Sequence, residues 1–246
     1  MAIIRNKAAA SGAAATNLEQ SEGKKSLLAY RFIKERIKQN TYAPGSILSE
    51  EFLVKELGMS RTPIRDATRM LAQERFLEIY PNRGILVTPI DLKLVENIFI
   101  IRELNEPCIT EWAIGNRELA GSLLCLKEQI ELADRIEDAA ARRKRLIEID
   151  SQLHWDVLKN CENPFMQSMM RTVYDHNDRI RIYTSTTFME GSQLEHLEII
   201  NRILEEDKVK AKESARNHVL TSFRHIVDNF YRLGQSRLRL NLSGEN

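Results

Sequence analysis

Cysteine is scarce. Cys108, Cys125 and Cys161 stand far apart, are odd in number and form no CxxC pair. That argues against a disulfide scaffold and for a reducing compartment, so a cytoplasmic protein is expected. Long apolar runs are also missing: nothing approaches the ~18–20 uncharged apolar residues of a membrane span, and no membrane partner is expected. Proline nearly vanishes from the later part of the chain, where only Pro107 and Pro164 follow residue 91. That later part shows no strand-like alternation, and no internal repeat, leucine zipper, HExxH pair or nucleophile elbow is present. What remains is an ordinary globular mix, 43% hydrophobic and 29% charged, in 246 residues. That length suits two domains of ~100–200 residues better than one small one.

The net charge of +1 hides an asymmetry. Residues 24–90 carry 12 Lys and Arg against 7 Asp and Glu, while residues 91–246 carry 22 against 26. A basic segment beside an acidic remainder suggests that one domain meets a polyanion and the other does not. Residues 1–23 are rich in Ala, Ser, Gly and Asn. Their alanines are interrupted by Ser11 and Gly12 and include no greasy central segment, so they read as a loose, disordered tail rather than a signal peptide.

From Lys24 the pattern becomes regular. Leu27, Tyr30, Ile33 and Ile37 recur at helical spacing, and Pro44-Gly45 mark a turn. A short second helix follows, capped by Ser49, with Phe52, Leu53 and Leu57 facing inward and Gly58 closing it. Ser60 caps a third helix with Ile64, Ala67 and Leu71 as its inner stripe. Two β-type runs, 76–80 and 85–88, flank Pro81-Asn82-Arg83-Gly84, a hairpin turn. Three helices and a hairpin describe a winged helix-turn-helix over residues 24–90. Pro89 and Asp91 mark its boundary. Beyond it, helical periodicity through 91–115, 117–137, 142–160, 164–184, 193–206 and 208–233 predicts an all-α antiparallel bundle of about six helices, with a break or kink at Pro107 and fraying over 234–246. The fold expected is therefore mostly α: a winged helix followed by a helical bundle.

The third helix places Arg61, Arg65 and Arg69 at i, i+4 and i+8, one face opposite the apolar stripe. An arginine fork can grip guanine O6 and N7, or a phosphate, with two hydrogen bonds. Thr62, at the helix start, can meet a phosphate alongside the free backbone N–H groups, and Arg83 and Gly84 at the wing tip can approach the backbone or minor groove. The plainer alternative is a solvated basic face. The hairpin and the tight Gly58-Met59-Ser60 turn favour double-stranded DNA. One such helix reads only a few base pairs, so a homodimer on a palindromic operator is expected.

All five histidines lie beyond residue 150. Asp150 and His154, at i and i+4, share one helical face, while His196 and His218 belong to two later helices. One carboxylate and three imidazoles from three helices can hold a divalent metal with positions open to water or a ligand. Alternatively, each is a surface or satisfied core residue.

The stretch PGSILSEEFLVKELGMSRTPIRDATRMLAQERFLEIYPNRGILVTPID resembles the DNA-binding half of the GntR family of bacterial transcription regulators. The helical half resembles that family's FadR-type (FCD) ligand-binding domain, and together they cover about residues 24–232. SRTPIRDA and PNRG are the specific segments. The resemblance implies operator contacts from Arg61 and Arg65 and wing contacts from Arg83 and Gly84. It departs from the family at Glu51, where many relatives carry a DNA-contacting arginine, and at Thr68, where leucine is usual. The metal-binding branch carries an Asp-x-x-x-His pair, a Glu-His start to a later helix and a final histidine; Asp150, His154, Glu195-His196 and His218 follow that order. This implies a divalent ion, zinc or nickel. It also implies a small carboxylate or sugar-acid effector with Arg102 as its partner, where the plainer role of Arg102 is a salt bridge to Glu106 or Glu103. Arg179, Arg181 and Tyr183 are secondary pocket candidates, His225 reads as structural and His176 has no matching role.

The function expected is a repressor-type transcription regulator rather than an enzyme. The alternatives are a metal-dependent hydrolase built on the same histidines, or a regulator whose metal is purely structural.

Overall fold

The computed structural model describes residues 5–184 and 191–243, which fall into two units, Met1–Ile90 and Asp91–Asn246.

The first unit holds α1 (Arg5–Lys38), β1 (Ile47–Leu48), α2 (Glu50–Leu57), α3 (Arg61–Gln73), β2 (Leu77–Tyr80) and β3 (Gly84–Val87). Its core gathers Ala29, Ile33 and Ile37 of α1, Leu53 of α2, Ile64, Ala67 and Leu71 of α3, and Phe76, Leu77, Ile85 and Val87 around the strands. The inner face of α1 is rotated from the expected one: Leu27 is half exposed and Ser26 and Ala29 are buried instead. Phe52 likewise stays largely exposed, with its ring against Tyr42 at 6.0 Å. Glu74, just past α3, ties back to α1 by accepting from Tyr30 Oη at 2.7 Å and Lys34 Nζ at 2.8 Å.

Local chemistry sets the ends of α2. Ser49 accepts the amide of Phe52 at 3.0 Å, and Gly58 closes the helix at φ 62°, a left-handed conformation that costs glycine little. Ser60 occupies the cap position of α3 but makes no side-chain cap bond. The three strands form an antiparallel sheet in the order β1-β3-β2, with Leu77 opposite Val87, Tyr80 opposite Gly84 and Ile47 opposite Leu86. β1 leaves no periodic signature in two residues; it exists because β3 offers it a partner.

Two expectations at the chain ends need correction. The disordered tail over 1–23 is helix from Arg5 onward, continuous with α1, while residues 1–4 lie outside the described residues. Ala8–Ala10 and Ala13–Ala15 are the strongest helix formers and no proline interrupts them. The fraying expected over 234–246 is replaced by helix to Ser243, with 244–246 outside the described residues. A single Gly234 costs only about 1 kcal/mol against the leucines and arginines around it.

The second unit comprises α4 (Leu92–Ala113), α5 (Arg117–Ala133), α6 (Ala139–Lys159), α7 (Pro164–Tyr183), α8 (Ser192–Leu204) and α9 (Lys208–Ser243). Asp91 caps α4 by accepting the amide of Leu94 at 2.7 Å. α4 lies against α9, with the rings of Phe99 and Phe223 tilted against each other at 5.4 Å, and also meets α6, α7 and α8. Of the break or kink expected at Pro107, the break does not occur: α4 runs through it, and Pro107 is buried. Tertiary packing on several sides outweighs the one hydrogen bond that the ring forbids. Thr68, the polar departure in α3, is buried without penalty because its hydroxyl donates to the carbonyl of Arg65 at 3.0 Å.

Candidate functional site

In the first unit, a groove of about 800 Å³ opens between α3 and the hairpin, lined among others by Glu50, Arg65, Arg69, Tyr80, Arg83 and Gly84. Arg61 and Thr62 are exposed on the first turn of α3, outside that lining. The arginines stand proud of the surface, with side-chain exposures of 71% at Arg61, 57% at Arg65 and 71% at Arg69. Arg65 is held through Nε by Glu50 Oε2 at 2.9 Å, and Arg69 leans on Asp66 at 3.8 Å. Glu51 faces solvent and pairs with Lys55 at 3.2 Å, so it offers no cation to DNA. The wing requires its glycine. Gly84 sits at φ 110°, and a Cβ there would come within 2.7 Å of Ile47 Cγ2 and 3.1 Å of the Leu48 carbonyl. A bare backbone at this point is what lets β1 and the wing close together.

In the second unit, α6 contributes Asp150 and His154, α8 contributes His196 and α9 contributes His218. One donor atom from each lies within 4.8 Å of the others. The i, i+4 spacing on α6 puts its pair on one face, as the sequence suggested. The three imidazoles crowd together, with ring centroids 4.7–5.9 Å apart. Asp150 Oδ1 lies 2.9 Å from His196 Nε2 and 3.6 Å from His154 Nε2, while its other oxygen accepts from Arg181. Despite the 2.9 Å approach, His196 Nε2 is buried without a well-formed hydrogen bond.

Charges here are set by competition. Burial would raise the Asp150 carboxyl, but Arg181 and His196 overcome it and hold that group well below the usual carboxylate range. Burial pushes His218 down to about 4, against the opposing pull of Glu195, so its ring is neutral at pH 7 and keeps a lone pair to donate. Glu195 Oε2 lies 2.9 Å from His218 Nδ1, which leaves Nε2 as the free donor.

These residues fit a divalent ion. The donor set is three nitrogens and one oxygen, and the buried His196 Nε2 makes no well-formed hydrogen bond although it approaches Asp150. An ion at ~2.1 Å from each donor would hold them about 3–4 Å apart, so only a slight contraction is needed. With one oxygen committed to Arg181, Asp150 offers the other alone.

A cavity of about 30 Å³ adjoins the cluster, and Arg102, Asn177, Arg181, Ser192, Ser222 and His225 line it. Arg102 is buried, donating Nε to Glu106 Oε1 at 2.5 Å and Nη1 to Asn177 Oδ1 at 2.9 Å. Its carboxylate partner is therefore Glu106; Glu103 instead pairs with Arg216 at 2.7 Å. Burial raises the Glu106 carboxyl, but Arg102 and His154 bring it below its ordinary value.

Among the secondary candidates, Arg181 reaches the cavity. Arg179 and Tyr183 do not line it, and burial lowers Arg179 to about 10. His225 lines the cavity although the sequence suggested a structural role; its seven-residue offset from His218, two helical turns, was the signal. Asn177, Ser192 and Ser222 carried no such signal.

Comparison with known proteins accounts for both units. The model of the gntR family of bacterial regulatory proteins matches residues 26–87, and that of the FCD domain matches 98–221. The chain is 30% identical over 198 residues to YdhC, an HTH-type transcriptional regulator of Bacillus subtilis (strain 168), covering 80% of this chain and 86% of the relative. It is 24% identical over 207 residues to the HTH-type transcriptional repressor GlaR of Escherichia coli (strain K12), covering 80% and 93%. Among solved structures, E. coli McbR/YncC superposes with a TM-score of 0.67 at 16% identity, over 84% of this chain and 98% of that one. These relatives are regulators of transcription and not enzymes, which removes the hydrolase alternative. No helix among the described residues is long and apolar enough to cross a membrane. A basic winged helix joined to a helical unit of this kind is thus more than a likeness: the chain belongs to the GntR family of bacterial regulatory proteins, with an FCD domain, and is a transcriptional regulator of that type.

Proposed function

We propose that the chain acts as a homodimeric repressor on a palindromic operator, and that a short organic acid at a divalent-metal site in the helical domain controls its operator affinity. The observation that carries this reading is the convergence of Asp150, His154, His196 and His218 beside an arginine-lined cavity, in a chain whose other unit presents a basic recognition helix. Asp150 Oδ1 and one nitrogen of each histidine would hold the ion. A bound ion would supply a fixed positive charge able to coordinate a carboxylate oxygen.

The rest is the work of protein side chains. Arg102 and Arg181 flank the same cavity, each already paired with a protein carboxylate, and the charge of a bound ion added to theirs would favour an anion, while the Ser192 and Ser222 hydroxyls suit an acid that also carries hydroxyl groups. Such an acid changes operator affinity only through unequal binding to the two dimer arrangements. The GlaR relative is named a repressor, which supports the same sign here.

Homodimerisation is supported by α4, which turns Ile100, Leu104 and Trp112 to solvent along one i, i+4 row that a second copy would bury. Leu104→Glu is expected to weaken self-association at least about thirtyfold in sedimentation equilibrium, the scale of an interfacial anchor. An unchanged constant would place the contact elsewhere.

The DNA reading is tested with a duplex selected from a random-sequence library. At near-physiological salt the chain should prefer it to random competitor, and Arg65→Ala should weaken that specific binding by ~1–3 kcal/mol. Unaltered specific affinity would remove Arg65 from the contact surface.

A further inference from the structure

The guanidinium that α3 offers for base contact is not free to swing. Arg65 donates Nε to Glu50 Oε2 at 2.9 Å, across the turn that joins α2 to α3. The other oxygen of the same carboxylate lies 3.7 Å from Nε of Arg61. Glu50 is the first helical residue of α2, directly after the Ser49 cap, where the helix dipole favours a carboxylate. Its side chain is 29% exposed, against 57% for Arg65, so the anion sits lower in the groove than the cation it holds. Its Oε1 is buried and accepts no hydrogen bond. Among the described residues, the two arginines are the cations with which Glu50 pairs.

With Nε engaged, Arg65 presents Nη1 and Nη2, the end-on pair that matches guanine O6 and N7. Part of the rotamer freedom that a loose arginine would lose on docking is already restricted, which lowers the cost of the correct contact. The carboxylate also brings negative charge towards any duplex, and that weakens binding to phosphate alone. An exposed ion pair adds little to stability, so fold maintenance is a poor explanation for it.

From this arrangement we infer that Glu50 is a specificity-determining positioning residue: it aims Arg65 at one base pair of the operator and penalises duplexes that offer only their backbone. The inference rests on α3 being the helix that reads bases.

Full-length wild type, Glu50→Gln and Glu50→Asp are compared by fluorescence anisotropy on the library-selected operator and on a random duplex, across a salt series, with thermal unfolding confirming that each variant is folded. Glu50→Gln should bind the random duplex several-fold more tightly, with a salt slope steeper by about 0.9. Its operator-to-random affinity ratio should fall by about an order of magnitude. Glu50→Asp keeps the charge but not the reach, so its random-duplex affinity should match wild type while the ratio still falls. A wild type that discriminates, beside a Glu50→Gln variant whose ratio stays within about twofold, overturns the inference and leaves the DNA reading intact. A folded wild type that shows no preference for the selected duplex removes the base-reading role of α3, and the inference with it.

Discussion

Replacing His196 and His218 together by alanine should abolish metal binding, from about one equivalent of divalent ion per chain to none by elemental analysis. The expectation is this sharp because the four donors come from three helices: α6 supplies Asp150 and His154, and without the α8 and α9 imidazoles only one i, i+4 pair remains. That pair is already compromised, since Arg181 takes one oxygen of Asp150. Two donors on a single helical face do not build a closed site for zinc or nickel. The remaining fold should tolerate the change, because the buried aliphatic residues of the bundle, such as Leu119, Leu123, Leu126 and Ile200, are untouched. Metal content equal to wild type in a folded double variant would refute the assignment of these histidines.

The second large effect is on stability. Arg102→Ala should destabilise the helical domain by ~3–5 kcal/mol, because it leaves the buried Glu106 carboxylate without its main counter-charge. Glu106 and Arg102 are both almost wholly buried, and the guanidinium also bonds Asn177 of α7, so the lost partner ties two helices as well as two charges. Burial opposes ionisation of Glu106, and Arg102 is the first influence that reverses it. Removing both charges together, as Arg102→Met with Glu106→Leu, should recover most of the loss, since an apolar pair of similar volume carries no uncompensated charge. Urea unfolding distinguishes the outcomes. If Arg102→Ala costs no more than an ordinary surface substitution, the buried Arg102 guanidinium does not tie α4 to α7. The paired variant also separates two roles of Arg102: stability returns, whereas an acid anchored by its guanidinium should still bind poorly.

The parts of this molecule that the sequence made legible are those that repeat. Ile64, Ala67 and Leu71 announce α3, the same spacing places Arg61, Arg65 and Arg69 opposite them, and six helical stretches beyond Asp91 appear as helices among the described residues. Asp150 and His154 were visible as a pair because four residues make one helical turn. Their convergence with His196 and His218 could be raised from residue type but not fixed, since helix packing leaves no periodic trace; the family resemblance gave it weight.

What escaped has the same cause. The clamp of Glu50 on Arg65 spans 15 positions and the hold of Arg181 on Asp150 spans 31. The link from Arg102 to Asn177 spans 75. No local pattern encodes such contacts. Pro107 is the opposite case: its local rule allows a break or a kink, and a buried helix packed against several others runs on without the break. At the amino end, composition suggested disorder where runs of alanine form helix.

The most direct test of acid-controlled DNA binding is a set of four operator dissociation constants. They are measured by anisotropy for metal-loaded wild type and for the His196→Ala/His218→Ala variant, each with and without a short hydroxy acid that calorimetry has shown to bind the wild type. The expected result is a shift of about 5–150-fold on adding acid to wild type, the usual range of a coupling between two sites, and no shift in the variant. An acid that binds the wild-type chain but leaves its operator affinity unchanged would contradict the coupling, as would an equal shift in the chain that has lost its histidines.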